Sequence, residues 1–303
     1  MENLNLNKRT YRILQGIGEG ETTEFSINNK KATVIDLGVG VKIDDGLSKE
    51  IGISVAEATM GSLGKVKIEG DRVNVEIPEH PVIATLCCQL AGWSVEIEGK
   101  KKLGSGPARI LANKPREIID GVGYHESSER SSLILETDIL PNKKTCEKIL
   151  EDTKSNELII AAFRDDTIIG LINVLARIVE VGIFRLYNLG YDVNRIVSAK
   201  GNVPIPPFTR EMMFTSNDAI IYQGTVSLKV NGWDSEITEK AVSKSSMVYG
   251  KSFKEIFQEA GGNFYRIDPE IFAPARLNVT DLREGKEYSA GVLRRNKNPE
   301  HEP

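Results

Sequence analysis

The most constraining feature of this sequence is a long apolar stretch near the middle of the chain. Residues 167–189 are mostly aliphatic and aromatic, and Asn173, Arg177 and Glu180 interrupt them. The stretch is long enough to cross a bilayer, but each charge at its centre would cost about 2.5 kcal/mol or more in lipid. A helix that is apolar on all sides is otherwise buried inside a protein. We therefore predict one buried helix over residues 167–189 and no membrane span.

These three polar side chains stand at positions i, i+4 and i+7 of the predicted helix, which places them on one stripe. Arg177 and Glu180 are three residues apart and can touch. One interpretation is a buried ion pair that fills a packing gap, although such pairs are weak evidence for stability. The other is a carboxylate at the floor of a pocket, oriented by a cation and by the Asn173 amide. The pattern alone leaves both interpretations open.

Length and charge limit the class of protein. At 303 residues the chain predicts two domains or one large α/β unit. Its net charge of -4 and pI near 5.7 argue against a nucleic-acid surface, which needs clustered excess Lys and Arg. The one basic run, residues 100–102, follows a turn at Gly99 and predicts a solvated loop. Residues 1–9 lack the apolar core of a signal peptide, so we expect a cytoplasmic protein.

The three cysteines, Cys87, Cys88 and Cys146, cannot form a disulfide framework. Cys87 and Cys88 are adjacent and point in different directions on any regular element, and the histidines show no metal-ligand spacing with them. We interpret the cysteines as small buried residues and predict no metal site.

The rest of the chain alternates strand patterns with helix patterns, which predicts an α/β or α+β fold. Pro81 opens one helix that stops at Gly92, and a hairpin turns around Gly70. We predict strands at 31–37, 66–68, 73–77, 94–98, 133–136, 158–163, 196–199, 219–222 and 225–230. We predict further helices at 81–90, 142–153 and 251–260, and a disordered tail at 296–303.

Two short echoes suggest an internal duplication. Residues 106–109 (Gly-Pro-Ala-Arg) resemble residues 273–276 (Ala-Pro-Ala-Arg), and residues 91–93 (Ala-Gly-Trp) resemble residues 231–233 (Asn-Gly-Trp). Because the order of the two echoes differs between the halves, a chance match stays open.

Glycine-rich and polar motifs raise further ligand-binding hypotheses. In residues 104–109 (Gly-Ser-Gly-Pro-Ala-Arg) a flexible loop precedes a cation and can receive a phosphate or carboxylate, but the Gly-Lys-Ser/Thr ending of a P-loop is missing. Residues 16–20 miss the final spacing of a dinucleotide fingerprint, and we interpret them as a turn. Asn217 and Asp218 stand at the entrance of the strand predicted at 219–222. Turn chemistry explains this pair, and so does recognition of the edge of a heterocycle.

Several segments, taken in order along the chain, resemble the methenyltetrahydromethanopterin cyclohydrolase family. Each segment is short, but their collinear order over nearly the whole chain is specific. The matching segments are Asp36-Leu37-Gly38-Val39, Ala91-Gly92-Trp93, Gly104-Ser105-Gly106-Pro107-Ala108-Arg109, Ala176-Arg177-Ile178-Val179-Glu180, Leu189-Gly190-Tyr191-Asp192, Pro204-Ile205-Pro206-Pro207, Asn217-Asp218-Ala219-Ile220-Ile221-Tyr222 and Phe272-Ala273-Pro274-Ala275. Gln223 replaces an expected glycine and Val181 an expected small polar residue, departures that concern the detail of the pocket.

The resemblance implies two α/β domains that flank a pocket. We set their boundary so that residues 1–163 form the first domain and residues 164–303 the second. The resemblance also implies a homo-oligomer, which is a trimer in the family, and no metal or redox cofactor. The implied activity is the reversible hydrolysis of 5,10-methenyltetrahydromethanopterin to 5-formyltetrahydromethanopterin, in one-carbon metabolism between carbon dioxide and methane. The expected partner is therefore a small pterin substrate, with no nucleic acid and no membrane.

The family's functional arginine and glutamate, three apart on a helix, match Arg177 and Glu180. We expect Glu180 to be the general base that activates water and later protonates the departing nitrogen, and Arg177 to fix its carboxylate. Asn173, from the helix stripe, is a substrate-binding candidate. The family's loops suggest further substrate-binding candidates, which are Gly104, Ser105, Arg109, Asn217, Asp218 and Tyr222.

Two alternative functions stay open at this point. One is a catalytically silent pterin-binding paralogue, against which the retained Arg177 and Glu180 argue. The other is a nicotinamide-dependent dehydrogenase that acts on the same carrier, against which the missing dinucleotide fingerprint argues.

Overall fold

The computed structural model describes residues 2–209, 211–263 and 266–294, so the tail predicted at 296–303 lies outside the described residues. Within them the chain forms two six-stranded sheets and their covering helices, which confirms the α/β prediction. The strands are β1 Glu21–Ile27, β2 Lys30–Asp36, β3 Lys65–Glu69, β4 Arg72–Ile77, β5 Trp93–Ile97, β6 Lys100–Ser105, β7 Arg130–Glu136, β8 Glu157–Phe163, β9 Ile196–Pro204, β10 Thr225–Val230, β11 Arg276–Asp281 and β12 Lys286–Gly291. The helices are α1 Leu6–Gln15, α2 Asp45–Thr59, the π-helix Ile83–Gln89, α3 Ala108–Ala112, α4 Arg116–Val122, α5 Lys143–Thr153, α6 Ile168–Leu175, α7 Ile178–Asn188, α8 Met212–Gln223 and α9 Phe253–Glu259.

The first sheet has the strand order β1-β2-β8-β7-β6-β5. Strands β2, β8 and β7 run parallel at its centre, and antiparallel strands complete both sides. The central strand β8 is buried from residue 158 to residue 163, as expected for a parallel strand covered on both faces. Strand β7 ends beside β6, where Glu136 pairs with Leu103. The carboxyl end of β7 therefore faces the region where β8 leads into α6.

The second sheet has the strand order β12-β11-β10-β9-β4-β3. Its hairpin β3–β4 comes from the first half of the chain and pairs with β9, with Arg72 opposite Pro204. The predicted hairpin is confirmed, with Gly70 in the left-handed region at φ 61°. Strands β3 and β4 precede the boundary predicted between residues 163 and 164, yet they belong to this sheet, and the buried residues of β4 share the largest core cluster with those of α7. The division into two domains stays a prediction.

The apolar stretch forms two helices, α6 and α7, so the prediction of one continuous helix over residues 167–189 is wrong. The break lies at Ala176 and Arg177, where the Arg177 amide donates to the Val174 carbonyl at 3.0 Å in a tighter turn. Two bonds to the π-helix hold this turn: Gln89 Nε2 donates to the Ala176 carbonyl at 3.3 Å, and Arg177 Nη2 donates to the Gln89 carbonyl at 2.6 Å. Helical periodicity carries no information about such bonds to another element.

The predicted burial of this stretch is confirmed, since α6 and α7 contribute side chains such as Leu171, Ile178 and Ile183 to the largest core cluster. Across the described residues, no helix has the length and apolar character that crossing a bilayer requires. The stretch is thus the central core element, in contact with the strands β9 and β10.

Two local predictions are wrong. Residues 219–222 belong to α8 and not to a strand, and Asn217 Nδ2 donates to the Met213 carbonyl four residues earlier, a helical spacing. Residues 100–102 open β6 and pair with β5, so the basic run is an exposed strand and not a loop. In both places the local composition favoured another state, and pairing or packing with distant residues overrode it.

The echo segments adopt different structures. Residues 106–109 lead into α3, whereas residues 273–276 lead into β11. Trp93 opens β5, whereas Trp233 lies in the irregular segment after β10. These echoes therefore do not mark a repeated structural unit, and the internal duplication stays a prediction.

Candidate active site

A cavity of about 330 Å³ lies where the ends of β6 and β7 approach α6, α7 and α8. Most of its wall is apolar, with side chains such as Leu103, Phe163, Val174, Val181, Phe184 and Phe272. Its ionisable lining residues are Glu136, Arg177 and Glu180. An apolar cavity with a few convergent polar groups is typical of a small-molecule site.

Arg177 and Glu180 form the ion pair that their spacing predicts. Arg177 Nε donates to Glu180 Oε2 at 3.3 Å, and the two side chains are 14% and 6% exposed, respectively. The break between α6 and α7 puts Arg177 immediately before α7 and Glu180 in the first turn of that helix. The Gln89 carbonyl anchors the second nitrogen of the guanidinium at 2.6 Å. The carboxylate is therefore held by a cation that is itself held by a third element.

Burial raises the pKa of Glu180 above the ordinary value of 4.5. Attraction to Arg177, the hydrogen bond from Arg177 and the charge of Arg109 lower the pKa, but these effects are smaller than the desolvation. No second hydrogen bond to this carboxylate occurs within the described residues. A carboxyl group with a raised pKa and a free oxygen in a cavity is suited to accept and return a proton.

Asn173 brings a buried amide to the same cavity from the last turn of α6. The residue is 2% exposed, and its Oδ1 has no hydrogen-bond partner. It forms no hydrogen bond to Glu180, so the predicted orientation of the carboxylate by this amide is not observed. A buried polar atom without a partner costs about 1–3 kcal/mol, so Asn173 is ready to accept a bond from a ligand or a water.

Two further candidates from the sequence line the cavity. Ser105 is buried at the end of β6, and Asn217 lies on α8. Asn217 Nδ2 is engaged with the Met213 carbonyl at 2.7 Å, which leaves its Oδ1 oxygen for another donor. The fold thus brings together five predicted site residues from β6, α6, the helix break, α7 and α8.

Arg109 lies outside the cavity wall and is fully buried. Its guanidinium donates to the carbonyls of Lys114 and Leu86, both at 3.0 Å, and of Cys88 at 3.3 Å. Burial lowers the pKa of Arg109 to about 10, so it stays cationic at neutral pH. This side chain fastens α3 to the π-helix, and only its electric field reaches Glu180.

Gly104, Asp218 and Tyr222 also lie outside the wall. Gly104 is within β6, where a side chain would press on Leu133. Asp218 Oδ1 accepts a bond from the amide of Phe253 at 2.7 Å, at the start of α9. The Tyr222 hydroxyl donates to the Lys251 carbonyl, so these three candidates support the fold around the cavity and do not line it.

Glu136 is a lining residue that the sequence analysis missed. Burial raises its pKa, and the charge of Arg177 lowers it by less. The sequence feature that could have identified it is a carboxylate at the end of an apolar strand. In α/β proteins, ligands bind beside the carboxyl ends of such strands. The aromatic lining residues Phe163, Phe184 and Phe272 carried no signal beyond apolarity.

Metal-binding side chains do not cluster in the described part of the chain, where no three His, Cys, Asp or Glu residues come together. Cys87 and Cys88 are buried as expected, and burial raises the pKa of the Cys87 thiol to about 12. The burial of these cysteines agrees with their interpretation as small buried residues.

Comparison with known proteins places this chain among cyclohydrolases. The model of the Cyclohydrolase (MCH) family matches residues 6–297. A methenyltetrahydromethanopterin cyclohydrolase of Methanocella arvoryzae is 33% identical over 96% of this chain and 95% of the relative. One of Methanospirillum hungatei is 38% identical over 86% of each chain. One of Methylobacillus flagellatus is 32% identical over 86% of this chain and 83% of the relative.

The family match covers every residue of the cavity wall, from Leu90 to Phe272. The family consists of hydrolases that act on a C–N bond of a cyclic amidine, and a cavity with a buried, cation-paired carboxylate is compatible with this chemistry. The chain therefore belongs to the cyclohydrolase family in which these relatives bear the name methenyltetrahydromethanopterin cyclohydrolase.

Proposed function

We propose that this protein reversibly hydrolyses 5,10-methenyltetrahydromethanopterin to 5-formyltetrahydromethanopterin. The names of the relatives support this substrate, and the cavity supports the chemistry. The observation that carries the proposal is the buried Glu180 carboxylate, 3.3 Å from Arg177 Nε in an otherwise mostly apolar cavity. Such a carboxylate suits a reaction that needs one proton removed from water and one returned to nitrogen.

The methenyl carbon of the substrate lies between two nitrogens and shares their positive charge, so it is already electrophilic. The protein must therefore place and deprotonate a water. The water oxygen bonds to this carbon while Glu180 takes one proton. Glu180 then gives that proton to N10 as the bond between carbon and N10 breaks. The remaining hydroxyl loses its proton to solvent as the formyl C=O forms, so one water is consumed and one proton is released.

Arg177 has two roles in this proposal. Its Nε fixes one oxygen of Glu180, which leaves the other oxygen for the water. Its positive charge favours the ionised carboxylate, opposing the effect of burial on the pKa. Its Nη2 is anchored by Gln89, and no partner for its Nη1 occurs within the described residues. We assign this third nitrogen to the oxygen of the attacking water or of the formyl product.

Asn173, Ser105 and Asn217 are the proposed polar contacts to the pterin. Each lines the cavity, and Asn173 Oδ1 and Asn217 Oδ1 are acceptors for the N–H donors of the heterocycle. The aromatic side chains of Phe163, Phe184 and Phe272 offer apolar area for its rings. Binding energy from these contacts would position the methenyl carbon against the water.

The proposal includes no metal and no redox cofactor, on the basis of the resemblance; among the described residues, no three or more His, Cys, Asp or Glu side chains form a group that could hold a metal. We further propose a cytoplasmic homo-oligomer that acts in one-carbon metabolism, on the basis of the resemblance alone.

The decisive experiment is to mix purified protein with the methenyl pterin, without added cofactor, and follow the loss of methenyl absorbance. The proposal predicts catalysed loss. Binding without turnover would instead indicate a silent paralogue, and turnover only with added nicotinamide would indicate a dehydrogenase. Either result would refute the proposed function.

A further inference from the structure

Glu136 lies in the proposed catalytic cavity but has no role in the mechanism above. It ends β7, where its backbone pairs with Leu103 of β6 and Phe163 of β8. Its side chain lines the same cavity as Arg177 and Glu180, between apolar neighbours from both adjacent strands. The cavity thus contains a second carboxylate, which comes from the sheet, whereas Glu180 comes from a helix.

This carboxylate has no partner within the described part of the protein, where it forms neither an ion pair nor a hydrogen bond. The cation that acts on it is Arg177, and only through space. Arg177 is already engaged by the Glu180 carboxylate and the Gln89 carbonyl. A carboxylate that is partly removed from water and left without a partner is costly, unless a ligand compensates its charge.

The charges around the cavity indicate the sign of that ligand. Two carboxylates and one guanidinium line the wall, so the ionised wall carries one net negative charge. Two more charged side chains lie near these wall residues. Arg109, behind the wall, attracts the Glu180 carboxylate, and Asp165 repels the Glu136 carboxylate. They have opposite signs, so including them leaves the net charge at minus one. A ligand with one positive charge would balance it.

We propose that Glu136 is the residue that makes this cavity prefer the cationic substrate over its neutral product. The inference rests on the proposed function. The methenyl substrate carries one positive charge at the reacting carbon, and hydrolysis removes that charge as a proton leaves. The Glu136 carboxylate therefore attracts the cationic substrate but has no such charge interaction with the neutral formyl group of the product. Glu136 is a specificity residue in this scheme and neither donates nor accepts a proton.

The test compares the affinity of two ligands in a background whose turnover is expected to be about 10² to 10⁴-fold slower. The Glu180→Gln variant and the Glu136→Gln/Glu180→Gln double variant are titrated calorimetrically with the methenyl pterin and, separately, with the formyl pterin. Loss of one buried charge interaction should weaken binding of the methenyl cation about tenfold or more, and change binding of the formyl product by less than about threefold. Equal weakening of both ligands would overturn the proposal and assign Glu136 to a group that both ligands share. Unchanged binding of both would overturn it as well.

A second pair of variants guards against damage to the fold. Glu136→Asp keeps the charge and should keep most of the preference for the cation, so loss of the preference in this variant with normal melting would count against the proposal. Glu129→Gln removes an exposed glutamate just before the other end of β7 and should change neither affinity.

With Glu180 intact, Glu136→Gln should raise KM for the methenyl pterin and leave kcat nearly unchanged. If the wild-type protein binds but does not turn over the methenyl pterin, the proposed function fails while the binding comparison still tests Glu136.

Discussion

Replacing Glu180 by glutamine is the sharpest perturbation of the site, because it removes a charge and a base while hardly changing shape. Glutamine keeps an acceptor oxygen for Arg177 Nε, which lies 3.3 Å from the carboxylate in the wild-type protein. It cannot take a proton from water. If Glu180 is the general base, kcat should fall by about 10² to 10⁴-fold while the pterin still binds.

The pKa of Glu180 also fixes the sign of the stability change. It is raised in the folded protein, because desolvation outweighs the attraction of Arg177 and Arg109. A carboxyl group with a raised pKa stabilises the fold fully below its unfolded pKa, and this contribution is lost as the pH rises through the folded value. Glutamine does not ionise. The variant should therefore melt at the same temperature as the wild type or higher at about pH 8, and any advantage should shrink towards about pH 4.

Removing the other partner should have the opposite effect on stability. Arg177→Ala leaves a buried carboxylate without its cation, a change that typically costs about 3–5 kcal/mol. Its kcat should fall too, since the carboxylate loses its fixed position. Because the two residues act as one unit, the double variant should be little slower than the worse single variant.

The assay is loss of methenyl absorbance, divided by the concentration of folded protein obtained from circular dichroism. If the pair only fills a packing gap, Glu180→Gln should lower the melting temperature while turnover per folded molecule stays near normal. A folded Glu180→Gln protein with the kcat of the wild type would refute the mechanism.

Other measurements test other parts of the argument. The value of kcat/KM should fall as the pH drops through the raised pKa of Glu180 in the free protein. The acid limb of kcat should lie at lower pH than that of kcat/KM, because the bound substrate cation favours the ionised carboxylate. Flat profiles would contradict this. Activity should survive exhaustive chelation, and a stoichiometric metal whose removal stops turnover would count against a metal-free site. Asn173→Ala should raise KM about tenfold with little loss of stability, since Asn173 Oδ1 has no hydrogen bond to lose. The control Asn7→Ala loses hydrogen bonds to Pro107 and Ser132 and should therefore unfold more easily. Light scattering should give a mass above that of the 33.5 kDa chain, and a monomer would reject the predicted homo-oligomer.

Features that depend on neighbouring residues were predictable from the sequence. The contact of Arg177 with Glu180 follows from their spacing of three on a helix, and it is present. The helix predicted at 142–153 forms as α5, and Asn142 caps it through the Thr145 amide. The hairpin of β3 and β4 follows from its alternation around Gly70. Such features need only local backbone geometry and the alternation of buried and exposed positions, which the order of residues records.

Other elements were not predicted, although their patterns are present in the chain. Helices α1 and α2 and strands β1, β11 and β12 were missed, although α1 buries one stripe with Leu6, Tyr11 and Leu14 and β11 alternates buried and partly exposed positions. Residues 219–222 contain two adjacent isoleucines and favoured a strand, yet they form part of α8. Burial against neighbouring elements decided these cases, since intrinsic preferences are small beside the free energy of packing.

The tertiary structure alone decided what the site contains. Gln89 and Arg177 are 88 positions apart, and the bonds between the π-helix and the turn at 176–177 divide one predicted helix into two. Arg109 follows a glycine-rich loop, as a ligand-binding cation could, but backbone carbonyls surround it. Glu136 reaches the cavity because β7 lies between β6 and β8. Each outcome depends on which distant carbonyl or charge comes within a few ångströms, and a linear order of residues does not specify that distance.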